Sequence, residues 1–126
     1  MLKLKTLLEQ EYDPVRIGLS RLTDTQDEEV IVIPHDKITT ALSKVGAKDW
    51  TVETTKGIFQ IKTTRKFDDY KKTIKFVNDV AKIAEKIDHH PNVSFNYDTV
   101  TVEIYSHSHN AITDNDIKFA EEVSKK

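Results

Sequence analysis

The spacing of hydrophobic and polar residues divides the chain after residue 35 into helical and extended segments. A helical stripe of apolar residues begins after Asp36, which we expect to cap the first helix, and it stops at Gly46. Strand-like alternation follows on both sides of Lys56-Gly57, which can turn the chain. The pattern therefore predicts a helix and then a β-hairpin whose second strand covers residues 58–66.

The longest amphipathic segment follows this hairpin. Asp68 and Asp69 open it, and its apolar residues keep the helical period. We expect this helix to end near His89, because Pro91 disfavours helical geometry in the residue before it. Its lysines are interpreted as a solvated face rather than a phosphate-binding one.

Two more strands and a last helix complete the pattern. Alternation predicts both strands, with a turn between them at Asp98-Thr99. The alternating apolar positions are Val93, Phe95, Tyr97, Val100, Val102 and Ile104. Thr113 is expected to cap the last helix, with Asp116 completing a capping box. The order helix–strand–strand–helix–strand–strand–helix indicates an α+β fold, a four-stranded antiparallel sheet with three helices packed on one face.

Residues 1–34 are interpreted as an N-terminal extension of a domain that occupies residues 35–126. Asp13-Pro14 breaks any helix that begins earlier, whereas the β-branched run at residues 30–33 is compatible with a short strand. We expect this strand either to add to an edge of the sheet or to cover one, because an unprotected edge invites pairing.

Composition narrows the classes of function. The formal net charge is −2, which argues against a general nucleic-acid or anionic-membrane binder. The chain has no cysteine, which excludes disulfides, thiolate zinc sites and cysteine nucleophiles. No apolar run approaches the ~18 residues that a membrane span needs, so a cytoplasmic protein is expected.

Four of the five histidines lie between residues 89 and 109 and are the main candidates for chemistry. Glu85 and His89 are four residues apart, so on a helix the carboxylate can orient the imidazole. Three interpretations stay open at this point. Histidine titrates near pH ~6.5 and suits acid–base catalysis. Alternatively, His107 and His109 can join His89 in a metal site, or the helix-end histidines simply interact with terminal carbonyls.

A longer set of residues carries a more specific signal. It comprises Glu85-Lys86, His89-His90-Pro91, Tyr97, Val100, Ser106-His107, Ile112-Thr113 and Asp116. Their spacing closely resembles the pterin-4a-carbinolamine dehydratase family, whose pattern is E-K-x-x-H-H-P, a strand ending in S/T-H, and L/I-S/T-x-x-D. The resemblance holds without a gap over residues 84–120. Two positions depart from it: Val93 replaces a tryptophan, and Asn110-Ala111 replace two glycines, of which Asn110 is the better suited to a left-handed turn.

The resemblance implies a hydro-lyase that eliminates water from 4a-hydroxytetrahydropterin and gives quinonoid dihydropterin during recycling of a pterin cofactor. It implies three catalytic histidines, with His89 and His107 as the acid–base pair and His90 mainly in substrate binding. The residues expected on the substrate side are Glu85, Asp88, Pro91, Ser106 and Asp116. Asp116 is expected chiefly to cap its helix and shape the pocket. Since nothing is oxidised, no metal and no other cofactor is expected; the pterin is the substrate.

The resemblance also bears on partners and on the remaining residues. It implies a homodimer or homotetramer with no nucleic-acid or membrane partner. Phe95 and Tyr97 are expected in the core or the pocket wall, and His35 and His109 at the surface. The competing hypothesis is a non-catalytic binding module of the same fold, such as a dimerisation cofactor or an assembly factor. The retained histidines favour the enzyme, whereas Val93 and the N-terminal extension favour an additional binding role.

Overall fold

The computed structural model describes residues 3–6 and 29–126. Within these ranges there are six strands, three α-helices and one short 3₁₀ turn. The strands are β1 (Lys3–Thr6), β2 (Glu29–Val32), β3 (Thr51–Thr55), β4 (Ile58–Lys66), β5 (Asn92–Phe95) and β6 (Thr99–Ile104). The helices are α1 (Ile38–Lys44), α2 (Tyr70–Ile87) and α3 (Asp114–Ser124), and the 3₁₀ turn is His35–Lys37. The expectation for Asp13-Pro14 lies outside the described residues.

Four strands form one antiparallel sheet in the order β3-β4-β6-β5. Alternate residues of the central strands, including Ile61, Val100 and Val102, are buried on the side where the helices pack. The opposite face carries polar cross-strand pairs such as Gln60 and Glu103, whose side chains are 2.7 Å apart. The predicted α+β fold, with three helices on one face of a four-stranded antiparallel sheet, is confirmed.

Helix α2 begins and ends where local chemistry dictates. The Asp69 carboxylate accepts the Lys72 N–H at 2.8 Å, so the predicted start is confirmed. The helix ends at Ile87 because Asp88 adopts a left-handed conformation with φ 58°. Such a residue stops the α-helical hydrogen-bond ladder and redirects the chain, here immediately before His89.

Two local predictions are wrong. Asp36 lies inside the 3₁₀ turn, and α1 begins after it at Ile38 without a side-chain cap. The turn before β6 is centred on Tyr97-Asp98, one residue earlier than Asp98-Thr99, and the Asn96 side-chain oxygen there accepts the N–H groups of Asp98 and Thr99 at 3.1 and 3.0 Å. An asparagine side chain of this kind mimics a backbone turn, so Thr99 is free to begin the strand.

The aromatic residues of the β5 edge are not part of the core. Phe95 is 47% exposed and Tyr97 is 64% exposed. Val93 and Phe95 pair with buried residues of β6, but β5 is the outermost strand and the helices do not cover it. Tyr97 stands in the turn, where its ring stacks on Tyr70 with the ring centroids 6.1 Å apart. Of the two places expected for Phe95 and Tyr97, the core is therefore wrong, and the pocket wall stays a prediction.

Strand β2 does not join the four-stranded sheet, so the expectation that it adds an edge strand is wrong, and the alternative that it covers an edge stays a prediction. It pairs in parallel with β1, and its far side contacts the segment before α3. Ile31 is 1% exposed and Ile33 is 2% exposed, and both pack in the same core as the helices. Within the described residues, no helix is long and apolar enough to cross a membrane.

Candidate active site

The centre of the candidate site is a pair formed by His89 and Asp116. His89 follows the left-handed residue that ends α2, and Asp116 lies in the first turn of α3. Their Nε2 and Oδ1 atoms are 2.5 Å apart. The Asp116 side chain is completely buried, whereas 17% of the His89 side chain is exposed. The pair therefore joins a fixed carboxylate to an imidazole that a small molecule can reach.

The second oxygen of Asp116 is held by the chain around it. It accepts the Thr113 N–H and the Ser106 hydroxyl, each at 2.8 Å, and lies 3.4 Å from the Thr113 hydroxyl. The Ser106 and Thr113 hydroxyl oxygens are themselves 2.7 Å apart. A buried carboxylate is costly without such partners, and here each donor also fixes its direction. The predicted capping box of Thr113 and Asp116 is confirmed, and its carboxylate also holds His89.

The contact between His89 and Asp116 constrains the protonation of the ring. A carboxylate only accepts hydrogen bonds, so the imidazole nitrogen that faces it carries a proton. In the neutral ring the other nitrogen, Nδ1, is then a lone-pair acceptor. The geometry thus leaves Nδ1 of His89 as the proton acceptor of the ring.

His90 belongs to a second, more open pair. Its Nε2 lies 3.4 Å from the Glu85 carboxylate, and both side chains are mostly exposed. The expectation that Glu85 orients His89 is therefore wrong. The helix ends before His89, so the spacing of four residues no longer places the two side chains on one face. Asp88 is exposed at the helix end, and Pro91 is partly buried just before β5.

His107 lies beside this network without a hydrogen bond to either of the other two histidines in the described part of the chain. Ser106 points inward to Asp116, so the next side chain turns outward. The exposed His107 ring stacks on Tyr105, with the ring centroids 4.1 Å apart and an angle of 27° between the planes. Both residues lie beyond the end of β6, which stops at Ile104.

A tight turn after His107 returns the chain to the site. The Ser106 and Ala111 backbones bridge, and Asn110 between them adopts φ 48°, the left-handed conformation expected of it. His109 stands on this turn, 3.0 Å from the Ser108 hydroxyl. Among residues 30–126, no three histidine, aspartate or glutamate side chains are grouped as metal ligands would be.

The structure thus brings His89, Ser106 and Asp116 together and pairs His90 with Glu85. It leaves His107 exposed at the surface, directly after Ser106. The residue that sequence reasoning missed is Thr113 in its second role, because a helix-capping pattern does not show that the same hydroxyl contacts Ser106. Fold and site together define a class: an α+β domain in which a buried aspartate of the last helix holds a histidine that follows the longest helix.

Comparison with known proteins identifies the family to which this chain belongs. The family model for pterin 4 alpha carbinolamine dehydratase matches residues 32–126. The chain belongs to this family, and the resemblance noted from the sequence is confirmed.

Individual relatives agree with this assignment. A provisionally named pterin-4-alpha-carbinolamine dehydratase from Sulfolobus acidocaldarius is 32% identical over 76 residues, covering 60% of this chain and 79% of that protein. A second, from Gloeobacter violaceus, is 33% identical over 85 residues, covering 68% and 90%.

Two solved structures share the fold. The transcriptional coactivator/pterin dehydratase from Brucella melitensis is similar with a TM-score of 0.63 at 30% identity, covering 73% of this chain and 94% of that one. A pterin dehydratase-like protein described as a RuBisCO assembly factor in the alpha-carboxysome is similar with a TM-score of 0.53 at 19% identity, covering 61% and 87%. At that identity the second likeness concerns the fold alone.

Proposed function

We propose that this protein dehydrates 4a-hydroxytetrahydropterin to quinonoid dihydropterin. The bond between carbon 4a and the hydroxyl oxygen breaks, and the oxygen takes up a proton and leaves as water. The neighbouring ring nitrogen loses its proton, and its electron pair forms a double bond to carbon 4a. No electron is gained or lost overall, so the reaction needs an acid and a base and no oxidant. Positioned acid–base groups of this kind typically accelerate a reaction by about 10²–10⁴-fold.

The observation that carries the proposal is the His89–Asp116 pair. An imidazole whose Nε2–H is held by a buried carboxylate is fixed in one orientation and presents the lone pair of Nδ1 to a proton donor. We assign the base role to His89, the acid role to His107 and a substrate-binding role to His90. Glu85 orients His90 in this scheme. In this scheme Asp88 and Pro91 flank the substrate. Ser106 and Asp116 lie on the buried side of His89 and hold the imidazole in place.

The test is turnover of chemically generated 4a-hydroxytetrahydropterin, followed by the absorbance of the quinonoid product. The wild-type protein is expected to exceed the rate in buffer, and His89→Ala and His107→Ala are expected to lose most of the excess. His109→Ala is the matched control, since that imidazole lies on the same turn without a role in the scheme. A wild-type rate no higher than the rate in buffer alone would refute the proposed dehydration. A loss in His109→Ala equal to that in His89→Ala would refute the assignment of residues.

A second candidate function is a binding role for the β5 edge. Tyr70, Val93, Phe95 and Tyr97, here called the edge patch, are the large hydrophobic side chains that stay exposed among residues 30–126. Val93 and Phe95 lie on the outermost strand of the described sheet, Tyr97 lies in the turn after it, and Tyr70 begins α2. The outer backbone groups of such an edge strand can pair with another strand. We propose that a second copy of this chain covers the patch, because identical edge strands can pair antiparallel and bring two patches together. The homodimer or homotetramer expected from the sequence would then be built on this edge.

Light scattering tests this second proposal. A mass of two or four chains for the wild-type protein is the expected result. A monomer at high protein concentration would exclude the second copy and leave the patch to a different protein.

The cytoplasmic location stays a prediction of the sequence. Fractionation of cells that express the protein with a tag would check it.

A further inference from the structure

Strand β2 reaches the candidate active site from behind. The Ile31 N–H donates to the Asp114 carboxylate at 3.3 Å, and the Ile33 N–H donates to the Ile112 carbonyl at 2.8 Å. Between these two hydrogen bonds, Val32 and Thr113 form an isolated β-bridge. The strand therefore holds three consecutive residues, 112–114, from one side.

The residue in the middle of this segment is the one on which the site depends. The Thr113 N–H and hydroxyl both face the second oxygen of Asp116, and the hydroxyl also contacts Ser106. Asp116 in turn holds His89 through its first oxygen. The contacts thus run from β2 through Asp114 and Thr113 to Asp116 and His89 without an exposed link, since Thr113, Asp114 and Asp116 are all buried.

We propose that Asp114 is a positioning residue for the His89–Asp116 pair, acting by anchoring the start of α3 to β2. Asp114 does not touch the imidazole. Its carboxylate satisfies the buried Ile31 N–H, which would otherwise lack this partner, and so fixes where Thr113 presents its donors. The part of this inference that concerns rate rests on the proposed dehydration, whereas the geometry of the pair does not.

The physical reason is the sensitivity of catalytic geometry to small shifts. A misplacement of about 1 Å can lower a rate by about 10²-fold, so a partial release of Thr113 is expected to lower kcat by about tenfold. The substrate-binding side of the site is not changed, and KM is expected to stay close to its wild-type value. The segment that precedes residue 35 would then contribute to the site rather than merely extend the domain.

The experiment compares three variants of the full chain. Asp114→Ala removes the acceptor, Asp114→Ser shortens the side chain so that the acceptor is withdrawn, and Asp114→Asn keeps an acceptor oxygen without the charge. The Thr63→Val variant is the matched control, because it removes a buried hydroxyl that donates to the Asp49 carbonyl at 3.1 Å, outside this network. The direct readout is the proton resonance of His89 Nε2–H in proton–nitrogen NMR spectra, with kcat and KM measured alongside.

The expected result is that Asp114→Ala and Asp114→Ser shift, broaden or remove the His89 resonance, while Asp114→Asn and Thr63→Val retain it. If Asp114→Ala does not fold, Asp114→Ser decides. An unchanged His89 resonance in every folded variant would overturn the proposal, even where the melting temperature falls. An Asp114→Asn spectrum that matches Asp114→Ala would overturn it as well. Absence of dehydratase activity in the wild-type protein would instead refute the proposed function, and the NMR comparison would still be decisive.

Discussion

The junction of α2 and α3, where His89 meets Asp116, and the outer edge of β5 differ in how far their side chains are buried and hydrogen-bonded. At the junction, a fully buried carboxylate has hydrogen-bond partners on both oxygens. At the edge, Phe95 and Tyr97 are about half exposed or more and cover little of the core. Every buried side-chain nitrogen or oxygen among the described residues has a hydrogen-bond partner, whereas the apolar side chains at β5 are left partly exposed.

This difference separates two kinds of function. A group that is satisfied within its own chain is held in one geometry, which is what acid–base chemistry requires. A patch that is not satisfied within its chain gains stability when a second surface covers it. This is the division proposed above, with chemistry at the junction and association at the edge, and the predictions below test it by the free energy of unfolding and by the mass in solution.

Asp116→Ala is expected to have the largest effect. It removes the acceptor of the Thr113 N–H and the Ser106 hydroxyl and leaves His89 without its carboxylate. The loss of a helix cap and the exposure of buried donors lower the free energy of unfolding by about 3 kcal/mol. Urea denaturation followed by circular dichroism measures this change.

Asp68→Ala serves as the control for Asp116→Ala. Its carboxylate is 3.2 Å from Lys72 but lies at the surface, where such pairs contribute little. If the two variants lose the same stability, Asp116 does not hold the junction, and the contrast drawn here between the junction and the β5 edge is wrong.

Asn96→Ala is expected to have an intermediate effect. The turn before β6 depends on one side-chain oxygen that accepts two N–H groups, and its loss costs about 1 kcal/mol. The β5 edge is thus ordered by its turn even though its large side chains are exposed. Asn96→Asp keeps the acceptor and should retain most of the stability in the same denaturation experiment. A cost equal to that of Asp116→Ala would show that both regions are held equally tightly.

The outcome of sequence-based prediction follows the same division. Helix and strand order, the Asp69 cap and the Thr113–Asp116 capping box could be predicted because each depends on neighbours within a few residues. The partner of His89 could not be predicted from spacing alone. A single left-handed residue, Asp88, ends the helix before His89. The hydrogen-bond partner of His89 is therefore not Glu85 but Asp116, which is 27 residues away along the chain.

The β5 edge shows the other limit of sequence patterns. Alternation identifies which residues share a face of a strand, but whether that face is covered depends on where the helices end. Val93 and Phe95 have the pattern of core residues, and their exposure follows from the position of β5 at the end of the strand order. The buried role of β2 escaped prediction for the same reason, since its partners at residues 112–114 lie some eighty residues later.

Glu122→Gln is expected to have a small, pH-dependent effect at a second polar contact between α2 and α3, in which the Lys86 ammonium lies 3.5 Å from the Glu122 carboxylate. The hydrogen bond from Lys125 lowers the pKa of Glu122, aided by the charges of Lys118 and Lys86, while burial opposes the shift. A carboxylate with a lowered folded-state pKa stabilises the fold above its usual value of 4.5, and this contribution is lost as the pH falls through the lower pKa. The variant should therefore lose about 0.5 kcal/mol at pH 7 and nothing in strong acid.

The control for this pH effect is Glu121→Gln, which removes a half-buried carboxylate 3.3 Å from Lys118 on the same helix. Denaturation curves at several pH values and at low and high salt measure the difference, which salt should reduce. A loss that persists unchanged in acid would show that Glu122 acts by packing and not by its charge.

Phe95→Ser is expected to have the smallest effect on the fold and the largest on association. The ring is half exposed, so its removal should change the unfolding free energy of the dissociated chain by less than about 0.5 kcal/mol. The mass measured by light scattering should fall toward that of one chain, because the second copy loses an apolar anchor at the centre of the edge patch. Phe95→Leu keeps an apolar side chain there and should keep the wild-type mass. If Phe95→Ser instead unfolds the monomer while the mass stays unchanged, the edge belongs to the core of the fold and the division between the two regions is wrong.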